Sequence, residues 1–266
     1  MSAPDLLPAI VAASWRRVEA ARARRPRAEL ERLASEARPD AVGFVTRLGR
    51  HDVVNVIAEC KRRSPSRGIL RTDYEAPVLA RAYEDAGAAA ISVLTEPGFF
   101  DGSLDDLRRV GAAVRVPLLR KDFIVDEYQL LEARAAGASA VLLIVAALDD
   151  RGLPGLLRAS EACGLASIVE VHDRMELARA VESGARVVGV NARDLRTLEV
   201  RPAVVASLVD AIPDDVVAVA ESGIRTGADI RALRAAGYDA FLVGERLVTA
   251  DDPGGALRRL IEDARA

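Results

Sequence analysis

The sequence predicts an α/β protein, a single (β/α)8 TIM barrel with an extra N-terminal helical segment. Three observations predict it. The chain has 266 residues, 50% of them hydrophobic, and about 250 residues is the usual size of one such barrel. Eight short apolar runs alternate with Ala/Arg-rich segments of helical pattern. The residues that end those runs are polar or charged, and the C-terminal strand ends are where such barrels carry their chemistry.

Residues 1–48 stand outside the repeat. Leu6, Ile10, Val11, Trp15 and Val18 recur at roughly helical spacing, and an Arg/Glu-rich stretch broken by Pro26 and Pro39 follows. This reads as one or two helices packed on the barrel. They form either a lid closing one end of it, with Trp15 as a packing residue, or a separate partner-binding arm. The expected organisation is one domain over 1–266, with 1–48 as its helical extension.

The apolar runs follow at 53–58, 89–93, 116–119, 140–145, 166–169, 187–190, 216–220 and 240–243. Gly87, Gly137, Gly164, Gly184 and Gly237 each close a helical pattern shortly before such a run. A glycine there can take the left-handed conformation that ends a helix, and a continuous apolar run suits a parallel strand buried on both faces. Parallel strands need crossover connections, and eight such units in about 210 residues fit a closed barrel better than an open doubly wound sheet. No Gly-x-Gly-x-x-Gly follows the first run, which argues against dinucleotide binding.

Charge and cysteine content exclude several function classes. Forty acidic residues offset 37 Lys and Arg, for a net charge of −3, so no nucleic-acid partner is expected. Cys60 and Cys163 form neither a metal cluster nor a disulfide framework, which fits a reducing compartment. The apolar stretch 141–148 is too short to cross a bilayer. Asp5 and Pro8 disrupt the layout of a signal peptide. The expectation is a cytoplasmic protein with no membrane partner, a monomer or weak homo-oligomer.

Only two lysines, Lys61 and Lys121, occur in this arginine-rich chain. Each ends an apolar run. A lysine ammonium has a movable pKa and can hand over a proton, whereas arginine stays charged. Run one ends Glu59-Cys60-Lys61, run three Arg120-Lys121-Asp122, run five Glu170-Val171-His172, run six Asn191-Ala192-Arg193 and run seven Glu221-Ser222-Gly223. Side chains alternate along a strand, so Glu59 and Lys61 share one face while Cys60 packs toward the helices. Converging carboxylates and ammonium groups shift one another's pKa values toward those useful in proton transfer. The competing reading is a set of solvated strand ends or structural ion pairs. His172 either shares the pocket or sits in a loop with a backbone partner.

Phosphate handling is suggested by glycine-containing turns after runs seven and eight, Ser222-Gly223 and Gly244-Glu245. Barrels bind phosphate there through exposed backbone N–H groups. After run one, Ser64 to Gly68 supply hydroxyls and Arg67 that can close on the same ligand, or serve only as a loop.

The segment IAECKRRSPSRG at 57–68 resembles the first-strand signature of the indole-3-glycerol phosphate synthases. The likeness continues through SVLTE at 92–96 with Phe99 and Phe100, LRKDFI at 119–124, LLI at 142–144, VEVH at 169–172, NARDL at 191–195 and AESGI at 220–224. It covers essentially the whole chain. The resemblance implies ring closure of 1-(2-carboxyphenylamino)-1-deoxyribulose 5-phosphate, with loss of carbon dioxide and water and without cofactor or metal. It implies Lys121 as general acid, Lys61 as partner of the substrate carboxylate held by Glu59, and Glu170 in later proton transfers. Asn191 and Glu221 would orient hydroxyls and lysines. Phosphate would fall to Ser64, Arg193, Ser222, Gly223, Gly244 and Glu245, and Phe100, Phe123, Leu142 and Leu195 would line the aromatic half of the pocket. Arg246 and Ala192 depart from the family pattern. Two other readings are a different phosphate-binding barrel enzyme, such as a sugar-phosphate isomerase, and a non-catalytic scaffold.

Overall fold

The computed structural model describes residues 6–266; Asp5, invoked above against a signal peptide, lies outside them. The first elements are three helices rather than one or two: α1 (Leu6–Arg24), α2 (Arg27–Glu36) and α3 (Ala41–Leu48). The prolines divide them. Pro26 is extended and stands at the N-cap of α2, where its missing N–H costs nothing. Pro39 precedes Asp40, whose side chain accepts from the Gly43 N–H at 2.9 Å and caps α3.

Leu7, Ile10, Ser14 and Val18 form the buried stripe of α1. Trp15 falls off that stripe and is 44% exposed, so it is not the packing residue expected from its apolar character.

Among the described residues, eight parallel strands close a barrel. They are β1 (Asn55–Cys60), β2 (Ala90–Leu94), β3 (Leu118–Lys121), β4 (Ala140–Ile144), β5 (Ala166–Val171), β6 (Val187–Asn191), β7 (Val217–Glu221) and β8 (Ala240–Val243), with β8 pairing back onto β1. The five glycines expected to stop helices have φ between 69° and 114°, a region open to glycine without a Cβ clash. The strands run past the change from apolar to polar residues, because the ladder bonds backbone to backbone: Glu59 pairs with Ser92 and Asn191 with Glu221.

Alternation sorts each strand into two faces. Val56, Ala58 and Cys60 enter the core beneath the helices, whereas Ile57 joins Leu119, Leu142, Ile168, Val219 and Leu242 inside the barrel. Phe44 and Leu48 of α3 plug the N-terminal end of that interior. Asn55 ties this plug to the strands by donating to the Leu48 and Asp239 carbonyls at 2.9 Å each. At the opposite end α1 touches two helices described next and the turn Val145–Ala147 after β4. Those helices are the short Pro97–Phe100, which follows β2, and Glu127–Ala135, which follows β3. The extension thus closes one end and borders the other.

Candidate active site

Each strand's last inward residue arrives at the C-terminal mouth. Glu59 and Lys61 share a face as alternation requires, and the Lys61 Nζ lies 2.5 Å from Glu59 Oε2. Lys121 stands at the centre, its Nζ 2.5 Å from Glu221 Oε2 and 3.3 Å from Glu170 Oε2. Room for these carboxylates comes from two glycines. A Cβ on Gly189, one residue layer below, would stand 2.2 Å from Glu221 Oε1, and one on Gly244 would stand 2.1 Å from Glu59 Oε2. Any other residue at either position would drive the carboxylate out of place.

Burial and charge set the protonation states. Burial works against the Lys121 charge, but the carboxylates of Glu221, Glu170 and Glu59 outweigh it and hold the ammonium well above its ordinary value. Burial likewise opposes the Glu170 charge, yet Lys121 and His172 hold its carboxyl well below the usual range. For Glu221 burial wins: with Glu170 beside it, its carboxyl is pushed up to about 7 despite Lys121. One ammonium therefore sits between one firmly ionised carboxylate and one that takes up a proton near neutrality.

The mouth encloses a cavity of about 350 Å³. Its walls include every site residue named from the sequence. Phe100, Phe123, Leu142 and Leu195 form an apolar side, with the two phenyl centroids 6.3 Å apart. Ser64, Arg193, Ser222, Gly223, Gly244 and Glu245 lie on the polar side. Ser222 and Gly223 both have positive φ, 67° and 78°. For the serine that backbone costs about 1–3 kcal/mol. Its hydroxyl donates to Asn191 Oδ1 at 2.7 Å, and the same oxygen accepts from the Arg193 N–H at 2.9 Å. Asn191 thus fixes both turns.

Two residues on the polar side are engaged elsewhere. The Arg193 guanidinium donates to the Leu198 carbonyl at 2.9 Å and lies 3.9 Å from Glu245. Glu245 also pairs with Arg67 of the loop after β1, at 3.1 Å. That loop carries a two-stranded ribbon, Arg63–Ser64 against Gly68–Ile69. Arg225 and Arg246 reach the cavity beside these groups, so the polar side is more cationic than the motifs alone indicated. Ala192 is buried in the outer core, away from the cavity. Cys60 is buried there too, its Sγ 3.8 Å from the Ala76 carbonyl.

Sequence reading missed a buried ion network behind the apolar wall. Arg17 of α1 donates to Glu96 Oε1 at 2.7 Å and to Asp122 Oδ1 at 2.8 Å. Glu96 accepts from the Gly98, Phe99 and Phe100 N–H groups, which places Phe100. Asp122 follows Lys121 and accepts from Thr95 at 2.7 Å and Arg120 at 3.1 Å. The signal was an acidic residue within two positions of the end of each of strands β2 and β3, which cannot be buried without a cation. Among the described residues no group of three or more His, Cys, Asp and Glu could hold a metal ion. No helix among them is long and apolar enough to cross a membrane.

Comparison with known proteins agrees with this geometry. The family model for indole-3-glycerol phosphate synthase matches residues 7–260. An indole-3-glycerol phosphate synthase of a Parafrankia species is 57% identical over 75% of this chain and 75% of its own. The enzyme of that name from Mycolicibacterium smegmatis is 52% identical over 85% of this chain and 83% of its own. Among solved structures, a thiamine phosphate pyrophosphorylase from Pyrococcus furiosus superposes with a TM-score of 0.59, covering 80% of this chain and 96% of its own at 18% identity, a likeness of fold alone. The chain belongs to the indole-3-glycerol phosphate synthase family.

Proposed function

We propose that this protein closes the indole ring of 1-(2-carboxyphenylamino)-1-deoxyribulose 5-phosphate, releasing carbon dioxide and water to give indole-3-glycerol phosphate. The observation that carries the reading is the Lys121 ammonium, set between Glu170 and Glu221 in a cavity that has both an apolar wall and a cationic, hydroxyl-bearing turn. A substrate with an aromatic ring at one end and a phosphate at the other fits across that cavity with its keto group toward Lys121.

The ring carbon bearing the carboxylate attacks the keto carbon, and Lys121 gives its proton to the keto oxygen. The electron pair of the breaking carbon–carboxylate bond restores the aromatic ring as carbon dioxide leaves. Lys61, held by Glu59, pairs with the substrate carboxylate and then protonates the departing hydroxyl. Glu170 removes a proton from the neighbouring methylene, forming the double bond of the indole. Each transfer by a positioned group contributes about a hundredfold or more in rate. Ser64, Arg193, Ser222, Gly223 and the backbone at Gly244 and Glu245 receive the phosphate; Asn191 and Glu221 orient hydroxyls and lysine. The N-terminal helices and the barrel act as one domain in this reading, since α1 braces the wall that carries Phe100. The protein works in the cytoplasm as a monomer or weak homo-oligomer, without nucleic acid or membrane as partner.

The test is to incubate metal-free protein with this substrate and follow indole fluorescence together with released carbon dioxide. Equal amounts of indole product and carbon dioxide are expected. A substrate that binds and stays intact contradicts the proposal.

A further inference from the structure

His172 stands directly behind the pocket. Its backbone N–H donates to Glu176 Oε2 at 2.8 Å, and its Nδ1 lies 3.0 Å from the same oxygen. On the other side its Nε2 lies 3.4 Å from Glu170 Oε1. Both of those last two atoms are buried and make no hydrogen bond. An ionised carboxylate only accepts, and a neutral imidazole has a single N–H. A neutral ring in this orientation would therefore set a lone pair beside one carboxylate in a buried site, whichever nitrogen carries the proton. An imidazolium sets positive charge beside both carboxylates, with its Nδ1–H placed to donate to Glu176. Other charged groups near it are Asp194 from the loop after β6, paired with Arg201 at 3.4 Å, and, beyond Glu170, Lys121 and Glu221. Burial alone would neutralise the ring, but Glu170 and Glu176 outweigh it and its pKa is pushed up to about 10.

Resting on the proposed reaction, we propose that His172 is a positioning residue: clamped between Glu170 and Glu176, it keeps the Glu170 carboxylate ionised and aimed at Lys121, ready to accept the carbon-bound proton. Without it, Glu170 would face a second carboxylate, Glu221, with Lys121 as its close cation among the described residues, and would hold a proton through part of the working range.

The chain has two histidines, and the other, His51, is exposed, so ring nitrogen resonances separate cleanly and a His51→Gln variant assigns them. In the wild type the His172 ring is expected to be charged at pH 8, and in Glu170→Gln its titration should fall by about one unit or more. A neutral His172 ring at pH 7 in the wild type would overturn the proposal. Turnover supplies the second arm. His172→Gln should move the acid limb of the kcat profile up by about one pH unit, and Glu176→Gln should move it the same way by less. A uniform loss of activity at every pH would show packing alone and contradict the positioning role. The titration reads the folded protein without turnover, so failure of the clamp is distinguishable from failure of the proposed reaction.

Discussion

At the residue scale the site depends on space as much as on charge. Gly189 lets the Glu221 carboxylate lie against the β6 backbone, with Ile168 Cγ2 2.9 Å from where a Cβ would be. Gly189→Ala should cost about 1–3 kcal/mol of stability by overpacking, read by urea unfolding. Displacing Glu221 should also lower turnover by about a hundredfold, as misplacements near 1 Å do; unchanged kcat would show that Glu221 does not set the Lys121 geometry. The Glu221 carboxyl also makes stability depend on pH. Its folded value, about 7, lies above its ordinary 4.5, so between those values the folded protein holds a proton that the unfolded chain has released. The stabilisation from Glu221 is complete below about 4.5 and lost as pH rises toward 7. Glu170, held low, works in the opposite sense, contributing above 4.5 and losing its contribution in acid. Denaturation at pH 5 and pH 7.5 should therefore show Glu221→Gln gaining relative to the wild type as pH rises.

At the element scale α1 and the short helix Pro97–Phe100 form one unit through Arg17. Arg17→Ala leaves Glu96 and Asp122 buried without that cation and should cost on the order of 3 kcal/mol. Because Glu96 holds the turn that carries Phe100, KM should rise more than kcat falls; an unchanged KM would separate the extension from the pocket. The barrel elements were legible because each has a local cause: an apolar run makes a strand and a glycine ends the helix before it. Their C-terminal limits were less so, since the apolar pattern stops at Ala58 and Ala220 while pairing continues through Cys60 and Glu221. The N-terminal helices were counted too low because a proline reads as a break, and Pro26 instead starts α2. Arg17 was invisible among many arginines, its partners lying 79 and 105 residues away in sequence.

At the scale of the whole molecule, the two ends of the barrel divide the work. Phe44 is fully buried at the N-terminal end, and Phe44→Ala should destabilise by about 3–5 kcal/mol while KM stays within a few-fold, because the cavity lies at the other end. Residue types at strand ends, once placed on a barrel, indicated which side chains would converge. The packing that gives Glu170 and Glu221 opposite protonation behaviour is a property of three dimensions and has no signature in spacing. The central claim is that Lys121 is the acid that begins ring closure. Its most direct test is Lys121→Arg, with substrate binding and single-turnover ring closure measured on one preparation beside the wild type. Arginine keeps the charge but releases its proton far less readily, so binding within a few-fold and ring closure slower by about a hundredfold or more are expected. Ring closure at close to the wild-type rate would contradict the assignment.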